Sequence, residues 1–174
     1  MFQEEREEFK FEWSQLGDIA QGRPNLGNTT NVAVYRLMQY TLRDAAIKHT
    51  DVITADRIFY DAGFNAGKAL YENIIGEPGS FEDLAVELEK VLRDLNIGIL
   101  RFEKSDLSDM QFTLTVDEDL DCSGLPMMEE AICTYDEGFI AGIFESYTGK
   151  AFKVKEIDCW CTGERTCRFE AKLA

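Results

Sequence analysis

Phe152-Lys-Val-Lys-Glu156-Ile-Asp-Cys159-Trp-Cys161-Thr-Gly163-Glu-Arg-Thr-Cys167-Arg-Phe169-Glu-Ala171-Lys-Leu173 closes the chain. It contains two runs of alternating side chains on either side of the turn residues Thr162-Gly163-Glu164. A period of two marks strands, so the segment reads as a hairpin spanning Phe152 to Cys159 and Thr166 to Leu173. Lys153 and Lys155 belong in water, which turns Phe152 and Val154 inward and Glu156 with them. An ionised carboxylate is costly in a core without a partner, and no basic residue with obvious access stands near Glu156 in sequence. Cys159 follows three residues later, and Cys167 shares a face with Phe169, Ala171 and Leu173 on the returning strand.

Working backwards, Pro126 fits the first turn of a helix reaching about Tyr147, which carries Cys133 and is expected to pack over this sheet. Thiols and a carboxylate at one end of a hairpin suit zinc, which takes sulfur and oxygen ligands and supplies the charge a buried Glu needs. Spacing places Cys159 and Cys167 first, Cys133 and Glu156 next, with Cys161 as a rival. The alternative is that the cysteines are small buried apolar side chains and Glu156 sits at a solvated edge.

The remainder is helical before it is extended. Thr30 or Asn31 caps a helix to about His49 whose inner stripe is expected to be Val34, Leu37, Met38, Thr41 and Ala45. A second helix runs from about Thr54 to Ile75, with Ala55, Ile58, Phe59, Ala62, Ala66, Ala69, Leu70 and Ile74 on one face. Gly63 and Gly67 lie four apart on it, and Gly138 and Gly142 repeat that spacing on the Cys133 helix. Glycine costs up to about 1 kcal/mol in a helix interior and is tolerated where another backbone or a ligand comes close. Ser80 starts a third helix with Phe81, Leu84, Leu88, Val91, Leu92 and Leu95 inward, stopped by Asn96 and Gly98. Ile99–Glu103 and Met110–Val116 then form a hairpin with Met110, Phe112, Leu114 and Val116 on one side, followed by an acidic loop from Asp117 to Asp121. Phe9 to Trp13 alternates as a short strand after the acidic residues Glu4, Glu5, Glu7 and Glu8. The fold class is α+β, with helices packed on an antiparallel sheet of four or five strands.

With 174 residues, 18 basic and 33 acidic side chains, the chain carries a formal charge of −15. That balance argues against nucleic acid and against anionic lipid surfaces, both of which need a basic patch. No apolar run reaches membrane-spanning length and the acidic N-terminus lacks a signal peptide's apolar core, so a soluble, cytoplasmic protein is expected. Five cysteines in a reducing compartment, four of them from Cys133 onward, point to metal or redox chemistry.

Gly22-Arg-Pro-Asn-Leu-Gly27 followed by Val34-Tyr-Arg-Leu37, Gly63-Phe-Asn-Ala-Gly67-Lys68, and above all the closing Glu156…Cys159…Gly163…Cys167-x-Phe169 resemble the vinyl-4-reductase-like domain family from about Gly17 to Leu173. The resemblance implies a small-molecule-binding fold shared with haem-based nitric-oxide-binding domains and Golgi transport-particle subunits. It implies one domain over residues 17–174, preceded by an acidic segment over 1–16. It also implies a structural zinc on Cys133, Glu156, Cys159 and Cys167, with Cys161 outside the set and Cys122 a packed thiol. A pocket for an apolar or aromatic molecule is expected among Phe112, Leu114, Ile143, Phe144, Phe152 and Val154. The single His, His49, falls at a helix end and is no convincing ligand anchor. The function expected is that of a sensor, a homodimer, signalling through a partner. Two alternatives stand beside it: an accessory protein or reductase in tetrapyrrole metabolism, and a thiol redox switch. Against an enzyme, Gly-x-Gly-x-x-Gly after a strand is absent, a single His makes no convincing triad, and zinc held by four protein ligands has no open position.

Overall fold

A computed structural model describes residues 11–128 and 130–174. Glu4, Glu5, Glu7, Glu8, Phe9 and Lys10 lie outside them; of the strand expected over Phe9–Trp13, Phe11 and Glu12 are irregular and Trp13 opens a 3-10 turn, Trp13–Leu16. The chain divides into a compact unit ending at Thr30 and a second comprising Asn31–Ala174. The first holds the short helix α1 (Ile19–Gly22), capped by the Asp18 carboxylate, which accepts from Gln21 N.

The second unit contains α2 (Val32–His49), α3 (Val52–Leu70), α4 (Phe81–Asp94) and α5 (Thr134–Thr148), with the strands β1 (Ile99–Asp106), β2 (Gln111–Asp117), β3 (Phe152–Asp158) and β4 (Cys167–Leu173). The caps are those the sequence offers: the side chains of Asn31, Asp51 and Ser80 each accept a backbone N–H of the first turn. α3 therefore begins two residues before Thr54, at Val52, and ends in a π-helical turn over Tyr71–Ile75. The sheet has four strands in the order β1-β2-β4-β3, every neighbour antiparallel. Phe112, Leu114 and Val116 of β2 and Cys167, Phe169 and Ala171 of β4 form its buried face. α4 lays Phe81, Leu84, Leu88, Val91 and Leu92 into the core, each apolar side chain contributing roughly 1.5–3 kcal/mol by leaving water. Leu95, expected on the same face, is exposed just past the helix end.

α3 and α5 meet along a seam of four glycines. A Cβ on Gly63 would stand 2.0 Å from the Tyr135 carbonyl oxygen, and one on Gly67 2.1 Å from that of Phe139. From the other side, a Cβ on Gly138 would stand 2.0 Å from the carbonyl oxygen of Tyr60, and one on Gly142 2.2 Å from that of Phe64. The backbones touch because nothing projects between them.

Two further expectations are corrected. α5 starts at Thr134, not near Pro126, and residues 118–128 and 130–133 are irregular chain held by turns and by side chains of other elements. Most of the expected inner stripe of α2 faces out: Val34, Leu37 and Met38 are 58%, 66% and 62% exposed and Thr41 is exposed too, while Ala45 is half-buried. α2 turns inward Tyr35, Arg36, Gln39 and Tyr40 because the chain beneath it offers unpaired carbonyls and a carboxylate rather than an apolar surface.

The seam predicts a sharp contrast. Gly67→Ala is expected to destabilise by about 3 kcal/mol, the upper range for forcing atoms into filled space. Gly79→Ala, whose Cβ would meet only the flexible Asp83 side chain at 3.4 Å, should change stability by under about 1 kcal/mol. Urea unfolding of both variants measures this, and equal losses would refute the seam.

Candidate metal centre and ligand cavity

Four thiols converge where α5, the hairpin and the chain after β2 meet. The sulfurs of Cys122, Cys133, Cys159 and Cys167 lie within 4.8 Å of one another, all buried. Each arrives by a different device. Cys133 is the N-cap of α5, whose position the glycine seam sets. Cys167 opens β4 on its inward face. Cys159 owes its direction to a bulge: Glu156 pairs with Phe169 but Asp158 with Arg168, so Ile157 is the extra residue. Without it, strict alternation would turn Cys159 away from the side Glu156 occupies. Trp160–Thr162 then forms a 3-10 turn, closed by Gly163 at φ 103°.

Cys122, expected as a packed thiol, is the fourth sulfur. Val116 of β2 pairs with Cys167, which brings the chain after β2 alongside the cluster. The Asp119 carboxylate accepts from Asp121 N (2.8 Å) and Cys122 N (3.0 Å), folding that chain into a tight turn. Cys122 Sγ lies 3.1 Å from Cys167 Sγ, and Cys133 Sγ lies 3.9 Å from the sulfurs of both Cys159 and Cys167. Sulfurs set tetrahedrally around zinc at about 2.3 Å stand about 3.8 Å apart, so the spacing about Cys133 suits the ion.

Glu156 lies beside this group. It is 4% exposed, and its Oε2 accepts from Cys133 N at 3.2 Å. Oε1 is shut off from solvent with no hydrogen-bond partner among the described residues. Burial, then the nearby Cys159, push its carboxyl up to about 8. Glu137 holds the same edge: its Oε1 accepts from Glu156 N (2.9 Å) and Lys155 Nζ (2.8 Å). Within the cluster, hydrogen bonds from the Cys122, Cys133 and Cys167 thiols pull Cys159 down, while bonding to Cys122 pushes Cys133 up. Cys161 is buried outside the four, its carbonyl accepting from Met128 N.

Next to the thiols is a cavity of about 20 Å³ between α4, α5 and the β1–β2 hairpin, room for about one water. Leu114, Ile143 and Phe144 line it as expected, joined by α4 and β1 side chains such as Leu92 and Leu100. Phe112, Phe152 and Val154 do not. The two Phe rings instead pack with Phe144 as an aromatic cluster at centroid distances of 4.9–6.0 Å, and Val154 is buried core. Asp119 and Asp136 are the two polar groups on the cavity wall. Burial and then Asp121 push Asp119 up to about 7, and burial with Asp119 raises Asp136.

α2 grips the Cys122 turn from outside. Tyr35 Oη donates to Asp121 Oδ1 (2.7 Å) and Gln39 Nε2 to Oδ2 (2.6 Å), while Tyr40 Oη donates to the Asp121 carbonyl (2.8 Å). The Arg36 guanidinium donates to the carbonyls of Leu120 (2.7 Å), Asp119 (3.2 Å) and Ser123 (2.9 Å). Burial and the Asp121 charge push the Tyr35 hydroxyl up, which keeps it a donor.

Helices over a four-stranded antiparallel sheet define a fold, and that fold has solved relatives. A vinyl-4-reductase family protein of Methanocaldococcus jannaschii superposes with a TM-score of 0.59 at 21% identity, covering 85% of this chain and 84% of that one. The phenol-responsive sensory domain of the transcription activator PoxR, solved with phenol, gives 0.63 at 15% identity over 84% and 76%. Trafficking protein particle complex subunit 3 of Naegleria fowleri, covalently bound to palmitic acid, gives 0.63 at 16% over 83% and 95%. In sequence, the M. jannaschii protein MJ1642 is 25% identical over 85% of this chain and 81% of its own length. A second protein of that organism, MJ0745, is 29% identical over 73% and 62%. Residues 112–173, from β2 through the closing hairpin, match the model of the V-4-R domain, and the chain is V-4-R-like over that stretch.

The geometry predicts which thiols bind metal. Cys122→Ser should weaken cobalt(II) binding at least tenfold and diminish its thiolate charge-transfer band, whereas Cys161→Ser should leave both unchanged. Optical titration of the two variants measures this.

Proposed function

We propose that the protein is a zinc-containing sensor domain that binds a small apolar or aromatic molecule and signals through a partner. The observation that carries the reading is the shared wall between cavity and thiol cluster. Asp119 lines the cavity, and its carboxylate also holds the turn that presents Cys122. α2 is bonded to that same turn. A molecule entering between α4, α5 and the sheet would press on the turn, and the turn on α2. PoxR's phenol-responsive sensory domain has this fold, as does an H-NOX protein of S. oneidensis in the Fe(II)NO ligation state, at a TM-score of 0.50.

Zinc would be held by Cys122, Cys133, Cys159 and Cys167. Four protein donors leave no open position, so the ion would act structurally, tying the chain at Cys122 and Cys133 to the hairpin. Glu156, with its unpartnered oxygen, is the competing fourth ligand. Val34, Leu37, Met38 and Leu42 present an apolar stripe on the outer side of α2, of the sort that marks an association surface. A homodimer through this stripe accounts for it. Among the described residues no helix is long and apolar enough to cross a membrane, and we place the protein in the cytoplasm.

Elemental analysis of protein purified without chelator is expected to give one zinc per chain. Cys122→Ser should lose it and Glu156→Gln retain it; the reverse pattern would put Glu156 in the fourth position. Protein without zinc, whose thiols oxidise reversibly under mild peroxide, would favour a thiol switch. Met38→Glu is expected to convert a dimer to a monomer in sedimentation while leaving zinc in place.

A further inference from the structure

The cavity wall carries an imbalance that points to its ligand. Its lining is apolar except for Asp119 and Asp136. A carboxylate oxygen of each lies within 4.8 Å of the other and of Cys133 Sγ. Asp119 Oδ1 is occupied by the backbone N–H groups of Asp121 and Cys122. Asp136 Oδ2 is different: it is shut off from solvent and, among the described residues, receives no hydrogen bond. A buried acceptor without a donor is costly, and an unpaired buried charge more so. The surroundings do not relieve it. Asp121 and Glu156 are also buried, and the nearby Arg36 guanidinium is directed at backbone carbonyls. Among the described residues, no donor or cation answers Asp136 Oδ2 in a corner where carboxyl oxygens are in excess.

We infer that the cavity recognises an apolar molecule bearing a protonated amine, its ammonium group donating to Asp136 and Asp119 and its hydrocarbon body lying against Leu92, Leu100, Leu114 and Phe144. The inference rests on reading the cavity as a ligand site. At about 20 Å³ the cavity admits little more than a water as it stands, so the body of the ligand must part the layers. α4 is the element able to yield. α3 and α5 are locked backbone to backbone by the glycine seam, while α4 meets the β1–β2 hairpin through side chains, Phe81 stacking on Phe112 of β2 and standing edge-on to Phe102 of β1.

The test is calorimetric titration and thermal shift of the zinc-loaded, full-length protein. The probes share one body and differ in head group: benzylamine, benzyl alcohol, toluene and benzoate. Benzylamine is expected to bind saturably and at least tenfold more tightly than benzyl alcohol or toluene, with benzoate showing no binding. Asp136→Asn should remove the advantage of the amine while toluene binding and zinc content stay unchanged. Asp119→Asn serves as a second variant should the first fail to fold, with the same loss expected. Benzyl alcohol or toluene binding as tightly as benzylamine, or an amine preference that survives both substitutions, would overturn the inference while leaving the cavity a ligand site. Failure of every probe to bind would overturn the inference and the ligand-binding reading together.

Discussion

The close approach of α3 to α5 is the constraint on which the rest depends. Each helix presents glycine where the other presents a backbone carbonyl, at Gly63, Gly67, Gly138 and Gly142. Glycines that weaken an isolated helix thereby allow two to pack at backbone contact. α5 is fixed along its length, and its N-terminus delivers Cys133 and Asp136 to the junction with the sheet. A helix free to rotate or slide by a residue would scatter the thiols and reshape the cavity wall at once.

The junction gathers groups that ordinarily avoid one another. Asp119, Asp121, Glu137 and Glu156 are buried within a chain already carrying −15, beside four buried thiols. Some are satisfied locally: Glu137 by Lys155 and a strand N–H, Asp121 by Tyr35 and Gln39. Others keep an acceptor unmet among the described residues, as Glu156 Oε1 and Asp136 Oδ2 do. Burying such groups is stable only when a cation, a proton or a donor answers them. That demand gives the thiol cluster and the cavity a common electrostatic logic, the first suited to a metal ion and the second to a ligand head group.

α2 is attached to the body largely through polar groups. Among the described residues it contributes none to the buried core. Its inner side is a row of donors on one turn of chain, and its outer side is apolar and open. Hydrogen bonds contribute roughly 1 kcal/mol each and depend steeply on geometry, so a small shift of the turn changes several together. A helix joined in this way is well placed to carry a change at the cavity wall to whatever covers its apolar stripe.

Much of this was legible in the residues. Ser80 and Asn31 mark helix starts, the α4 stripe and the alternation in β2, β3 and β4 give their buried faces, and inward-pointing Glu156 singled out the junction with Cys133, Cys159 and Cys167. These are local properties, in which period and capping chemistry act within a few residues of themselves. What the sequence could not place depends on contacts distant in the chain. Cys122 joins the cluster only because Val116 pairs with Cys167, a register set by the whole sheet. Cys159 is named by its spacing, but the bulge that turns it inward is announced by no residue type. α2 is the clearest case. Periodicity and hydrophobicity favour burying Val34-Leu37-Met38 and give no reason to bury Tyr35-Arg36-Gln39. The tertiary structure buries the second, because a turn of irregular chain carries carbonyls and a carboxylate that must be bonded, and unmet polar groups outweigh a few exposed methyl groups.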